Sequence, residues 1–139
     1  MRKYFTIEEA EKALPKMEDF LEKLQKIKNQ INLLQIEHEQ FHQTIQPTNE
    51  EGAQFFNEQE VKMLKEIYKL HYEFYSTLEN FNTTGAVLKD IDEGLIDFRH
   101  KSFGKEVFLC WKQGETKIEH WHKTDNGYNN RQKIMDLQQ

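Results

Sequence analysis

The chain has 139 residues, a length typical of one domain, with 12% aromatic residues and a mean hydropathy of -0.90. The aromatic content and the periodic apolar positions argue against a disordered chain, and the low hydropathy predicts helices with large solvated faces. The net charge of -5 gives no electrostatic basis for binding nucleic acid or an anionic membrane, and no stretch is long and apolar enough for a signal peptide or a membrane span.

The segment FTIEEA predicts the start of a first helix. Thr6 suits the N-cap, and Glu9, three residues later, suits the reciprocal bond of a capping box. Pro15 lacks a backbone N–H and its ring crowds the carbonyl four residues back, so a kink or break is expected near Leu14. Beyond the proline, mainly apolar residues recur in steps of four and three up to Pro47, which is the a/d pattern of a coiled coil: Phe20, Leu24, Ile27, Ile31, Leu34, His38, Phe41 and Ile45.

A second helix is expected after the loop PTNEEGAQFF. Asn57 and Glu60 form a plausible cap, and the helix is expected to run to about Phe81. The short connection makes the two helices antiparallel. A two-helix seam leaves aromatic side chains without cover, so we expect a second copy of the chain to cover them in a homodimer: Phe41, Phe55, Phe56, Tyr68, Tyr72 and Tyr75.

The C-terminal part of the chain has the pattern of a sheet. Gly85 marks the helix exit, and LIDFRHK, KEVFLCWK and TKIEHWH predict three strands, with AVLKD as a candidate fourth strand at the edge. The predicted fold class is α+β. A long antiparallel helical hairpin, kinked near its N-terminus, occupies residues 1–83, and a small antiparallel β-meander with a polar tail occupies residues 84–139. Together they are expected to form one domain.

The stretch HEQFH matches H-E-x-x-H, which in metalloproteases places two zinc ligands and a catalytic glutamate on one helix. His38 and His42 are one turn apart, so they could share a metal. A third ligand is needed, and His71 is expected to be displaced by roughly 6 Å along the helix axis. Glu58 or Glu60 is expected nearer His42. Because His38 falls on the apolar seam, we interpret the pair as a structural histidine beside a solvated one.

Polar residues around the meander form a second candidate site. His120 and His122 are two apart on one strand, so both project from one face and Trp121 from the other. His122 could pair with Asp125, and Arg131 could neutralise carboxylates or hold an anion. Two interpretations stay open, namely a set of bonds that anchors the tail and a ligand or metal pocket. The candidate ligand-binding residues are Asp90, Asp92, Asp97, Glu115, His122, Asp125 and Arg131. No metal is assigned, and the candidate histidines for zinc are His38, His42, His120 and His122.

The only cysteine, Cys110, lies mid-strand between Leu109 and Trp111. A single cysteine excludes an internal disulfide and favours a reducing compartment, so the sequence predicts a cytoplasmic protein. A catalytic thiol needs a base and an electropositive setting, whereas this position is typical of a small buried hydrophobe. We interpret Cys110 as the latter.

Motifs occur at both ends of the chain. F-T-x-E-E-A and L-P are followed, in the C-terminal half, by K-D-I-D-E-G-L-I-D-F, G-K-E-V-F-L-C-W, G-E, W-H and D-x-G-x-x-x-R-Q. In this order they resemble a bacterial and archaeal family, the domain-of-unknown-function family 2203. The resemblance implies no established activity, and His120 and the H-E-x-x-H stretch lie outside its motifs. The motif positions with reactive side chains are Asp90, Asp92, Asp97, Cys110, Glu115, His122, Asp125 and Arg131.

These patterns favour a non-enzymatic, self-associating interaction module. The alternative is a metal- or small-ligand-binding protein, with a hydrolase as one form of it, that uses the acidic, histidine and arginine cluster of the C-terminal sheet. A zinc hydrolase built on HEQFH is the third hypothesis.

Overall fold

The computed structural model describes residues 2–137. Two long helices precede a five-stranded antiparallel sheet whose strands follow one another in chain order, so the predicted α+β class is confirmed. No helix within the described part of the chain has the length and apolar character needed to cross a membrane. The elements are α1 (Ile7–Thr44), α2 (Glu50–Asn82), β1 (Val87–Asp90), β2 (Leu95–Ser102), β3 (Lys105–Lys112), β4 (His120–Lys123) and β5 (Gln132–Lys133).

The start of α1 follows the predicted capping box. The Thr6 amide donates to Glu9 Oε1 and the Glu9 amide donates to Thr6 Oγ1, each at 3.0 Å. Of the kink or break predicted near Leu14, the break is wrong, because α1 continues through Pro15. Pro15 is exposed, while Leu14 and Met17 on either side of it are buried in one core. Packing on both sides of the proline therefore outweighs the one backbone bond that it removes.

The start of α2 lies well before the predicted cap at Asn57. Asn49 Oδ1 accepts a bond of 2.8 Å from the Gly52 amide, so Asn49 caps the helix and Glu50 begins it. Most of the predicted loop is thus the first turns of α2. The predicted end near Phe81 is confirmed within one residue.

The chain divides into two compact units. One unit contains the residues up to Lys23 and those from Leu78 onward, and the other contains Leu24–Thr77. In the first unit, one sheet face packs against α1 and the end of α2. Burying each large apolar side chain stabilises this core by about 1.5–3 kcal/mol. The core residues are Phe5, Ala10, Leu14, Met17, Leu21, Phe81, Ala86, Ile96, Phe98, Leu109, Trp111 and Ile118.

The second unit is the distal part of the helical hairpin. Leu24, Ile27 and Ile31 of α1 and Ile67 of α2 are buried, as the seam pattern predicts. Phe41 and Phe56 stack on each other with their ring centroids 4.7 Å apart. The large apolar side chains that stay exposed in this unit are Leu33, Ile36, Ile45, Phe55, Val61, Tyr68, Tyr72 and Tyr75.

The sheet contains two strands, β1 and β5, in addition to the three that the strand patterns predict. The edge strand expected at AVLKD is present as β1. β5 was missed because its two residues are polar and carry no strand pattern. It forms because pairing of β4 with β5 and a bond of 2.7 Å from the Ile134 amide to the Glu119 carbonyl hold the tail at the sheet edge.

Candidate metal centre

The sheet face opposite the core carries a row of polar side chains. In the antiparallel register Asp97 lies opposite Cys110, and Cys110 lies opposite His120. Paired residues project from the same face, so Asp97, Cys110, His120 and His122 share this one. Trp121 packs against the core on the other face, as the alternation along β4 predicts.

Three of these side chains converge at a buried point. Asp97 and Cys110 are 1% exposed and His122 is 2% exposed. The carboxylate oxygen of Asp97, the Cys110 sulfur and a His122 ring nitrogen lie within 4.8 Å of one another. Because β3 separates β2 from β4, Asp97 and His122 reach towards each other across Cys110, and His122 Nε2 donates to Asp97 Oδ2 at 2.8 Å.

Both ring nitrogens of His122 face oxygen acceptors. Nε2 faces Asp97, and Nδ1 donates to the Lys123 carbonyl at 2.8 Å. A ring that donates from both nitrogens is an imidazolium. Burial acts to lower the pKa of His122, but hydrogen bonds with Asp97, Cys110 and the Lys123 carbonyl outweigh burial and raise this pKa to about 10. The Phe108 ring, 5.4 Å from the imidazole, helps to shield the pair from water.

The same three side chains form a ligand set for a metal ion. Thiolate, imidazole and carboxylate all bind Zn²⁺, and the charges of Asp97 and Cys110 would balance a divalent cation once His122 is neutral. The Lys123 carbonyl would still accept a bond from Nδ1–H, which leaves the Nε2 lone pair directed at the site. Backbone carbonyls often orient metal-binding histidines in this way.

A second polar cluster on this face ties down the tail. Glu115 receives a two-pronged bond from Arg131, with Nη1–Oε1 at 3.1 Å and Nη2–Oε2 at 3.0 Å. Glu115 Oε1 also accepts from the Lys112 amide at 2.7 Å, and the Glu115 carbonyl accepts from Trp111 Nε1 at 2.8 Å. His120 Nδ1 lies 3.5 Å from Glu115 Oε2. Arg131 is thus already paired, as the tail-anchoring interpretation requires.

The family model described as an uncharacterized conserved protein, DUF2203, matches residues 3–134 of the chain. The chain belongs to the DUF2203 family. No curated protein and no solved structure matches it. The resemblance found in the sequence is therefore confirmed, and Asp97, Cys110 and His122 all lie within the matched range.

Three other carboxylates at positions that the resemblance marked lie outside the trio. Asp90 accepts a bond of 2.9 Å from the Glu93 amide in the turn after β1, and Asp92 is exposed in the same turn. Asp125 is exposed in the turn after β4, so the predicted pair of His122 with Asp125 is wrong. Asp97 is the partner of His122 instead, because the sheet register places the Asp97 carboxylate in the buried site.

The histidines of HEQFH lie in the other unit, on α1. There His38 and His42 face Glu60 of α2, and Glu60 lies nearer His42, as the sequence predicts.

Cys110 was not among the ligand candidates predicted from the sequence, although it lies between Asp97 and His122 in this DUF2203 chain. The turn SFGK is the part of the sequence that could have indicated this position of Cys110. Phe103 and Gly104 both have positive φ, 48° and 77°, as in a two-residue hairpin turn. Counting outward from such a turn pairs Asp97 with Cys110 directly.

Proposed function

We propose that this DUF2203 protein binds a divalent transition metal ion, zinc by its ligand chemistry, through Asp97, Cys110 and His122. The observation that carries the proposal is the convergence, within 4.8 Å, of three nearly inaccessible side chains that differ in type and all suit zinc. Burying polar groups is costly, and coordination of a cation is one way to satisfy all three at once.

The burial of the site favours a structural metal ion. A catalytic metal ion would need an open cleft in which substrate can reach it. Three protein ligands leave a fourth tetrahedral position for water or a small ligand. A reducing cytoplasm would keep the Cys110 thiol available as a ligand. We therefore infer a cytoplasmic metal-binding protein without assigning it a reaction.

Elemental analysis of protein purified without a histidine tag or chelator tests this proposal. We expect the zinc content of the wild-type protein to fall by about one equivalent in Cys110→Ala. His120→Ala is the matched control, because His120 shares the face but lies outside the convergent trio, and it should retain the metal. Substitution with Co²⁺ should give a thiolate charge-transfer band that disappears in Cys110→Ala.

Circular dichroism would verify that Cys110→Ala remains folded, since alanine fits the space of a small buried side chain. Equal zinc contents in the wild-type protein and Cys110→Ala, even with excess ion after treatment with a reductant, would overturn the proposal. Asp97 and His122 would then be a structural ion pair.

A second candidate function is self-association through α2. Tyr68, Tyr72 and Tyr75 are spaced by four and three residues, which places them on one helix face, and they are 66%, 74% and 62% exposed. A contiguous aromatic stripe of this kind is unusual on the surface of a monomer. The hypothesis of a homodimer rests on this stripe, and the oligomeric mass in solution tests it.

A further inference from the structure

The helical hairpin carries a second cluster of metal-binding side chains, separate from the sheet. His38 and His42 lie one turn apart on α1, and Glu60 comes from α2. One ligand atom from each side chain lies within 4.8 Å of the others. All three residues belong to the same compact unit, Leu24–Thr77.

Two ligand atoms of this cluster, His38 Nε2 and Glu60 Oε2, are buried. Glu60 Oε2 is in contact with His42 Nε2 and lies 3.9 Å from His38 Nε2. His38 Nε2 is sealed from solvent and has no hydrogen-bond partner among residues 2–137. A buried nitrogen left without a partner is destabilising, so a bound cation is a favourable partner for it.

Aromatic packing fixes the ring of His42. The His42 ring meets the Phe56 ring edge-on at 5.3 Å, and Phe56 itself stacks on Phe41. The two histidine rings are 4.8 Å apart and nearly perpendicular. With the rings held in this way, both Nε2 atoms converge on the carboxylate of Glu60.

We propose that His38, His42 and Glu60 form a second divalent-metal site that joins α1 to α2 near the loop end of the hairpin. Two imidazoles and a carboxylate are a ligand set that zinc uses with a fourth, open position. The His42 side chain is 47% exposed, so water can reach the cation. The site uses none of the sheet residues. Metal binding here is therefore independent of metal binding at Asp97, Cys110 and His122.

Metal binding at this site requires fewer features than the hydrolysis of a substrate by zinc. Hydrolysis would also require Glu39, which is exposed, to activate a metal-bound water and a groove to hold the substrate. Neither feature is needed for a metal ion that only links two helices.

Zinc titration in the Cys110→Ala background tests the hairpin site alone. Calorimetry on the untagged chain should show about one equivalent bound, with affinity at least about tenfold weaker when His42→Ala or Glu60→Gln is added. His71→Ala is the matched control, because His71 is the histidine of α2, and it should leave the affinity unchanged. Alanine favours helix, so the variants should keep their helical circular dichroism.

Amide hydrogen exchange gives a second measurement. Zinc should slow exchange on both sides of the loop, in the last turns of α1 and the first turns of α2, in Cys110→Ala but not when His42→Ala is added. Absence of zinc binding in Cys110→Ala, or binding that His42→Ala leaves unchanged, would overturn the hairpin site. Neither result would affect the sheet centre, which is tested by comparing Cys110→Ala with the wild-type protein.

Discussion

At the scale of single residues, the Asp97–His122 pair is the most unusual feature of the chain. A carboxylate and an imidazolium face each other at 2.8 Å, and both side chains are only 2% exposed. Removing one partner of such a pair leaves the other charge buried and uncompensated, which is strongly destabilising. Metal binding would replace the Nε2 proton with a cation and keep the site satisfied.

The raised pKa of His122 predicts how the stability of the metal-free protein depends on pH. The native state binds a proton with a pKa of about 10, whereas the unfolded chain binds it with the ordinary value of about 6.5. The stabilisation is therefore complete below about pH 6.5 and is lost as the pH rises through about 10. Urea unfolding of chelator-treated protein should show the free energy of unfolding falling by on the order of 1 kcal/mol per pH unit between about pH 7 and 9.

The matched variant for this measurement is His122→Gln, which keeps a hydrogen-bonding side chain but does not titrate. Its stability should be lower and its pH dependence over the same range flatter. A direct NMR titration of the His122 ring offers a second reading. A ring that titrates near its ordinary pKa in the folded, metal-free protein would contradict the prediction.

At the scale of elements, local capping chemistry decides where each helix begins. Thr6 and Glu9 satisfy the first amides of α1 reciprocally. This pairing also lowers the pKa of Glu9, because the Thr6 amide and hydroxyl favour its charged form. At α2 the sequence predicted the cap at Asn57, but Asn49 takes this role and Asn57 lies inside the helix.

Alanine substitution at the two asparagines separates these positions. Asn49→Ala should lower the free energy of unfolding by about 1 kcal/mol, because the Gly52 amide loses its acceptor. Asn57→Ala should be neutral or stabilising by a few tenths of a kcal/mol, because alanine is the better residue inside a helix. Chemical denaturation of both variants measures this difference, and the reverse order would place the helix start at the later asparagine.

At the scale of the whole molecule, α2 presents an exposed aromatic stripe. Tyr68, Tyr72 and Tyr75 lie on one face within the Leu24–Thr77 unit, and none of them is mostly covered. If two copies of the chain associate there, the tyrosines would form the centre of the interface, where large aromatic side chains contribute most to binding.

Sedimentation equilibrium at low micromolar concentration checks this expectation. The wild-type chain should have the mass of a dimer, and Tyr72→Lys should weaken association by at least about tenfold, because it places a charge in the interface. The matched control is Phe103→Lys, which changes an equally exposed aromatic residue, 71% accessible, on the β2–β3 turn. A monomeric wild type, or equal effects of the two variants, would refute a dimer formed through this stripe.

The sequence by itself determined the α+β class and most of the elements. Steps of four and three in the apolar positions predict two helices, and short apolar runs between glycines predict strands, because each backbone repeats its side-chain direction with its own period. Capping chemistry predicted the start of α1, but it placed the cap of α2 at Asn57 instead of Asn49, since both residues offer the same side-chain oxygen. The family resemblance marked Asp97, Cys110 and His122 without bringing them together.

Only the tertiary structure decided which of these residues meet. His122 pairs with Asp97 and not with nearby Asp125, because strand register, which links residues far apart in the chain, sets distances across a sheet. Pro15 does not break α1, because the core on both sides of it contributes more than one backbone bond. Glu60 reaches the two histidines of HEQFH because α2 packs beside α1 in the hairpin. Such contacts depend on where whole elements pack, and local residue preferences carry no information about that.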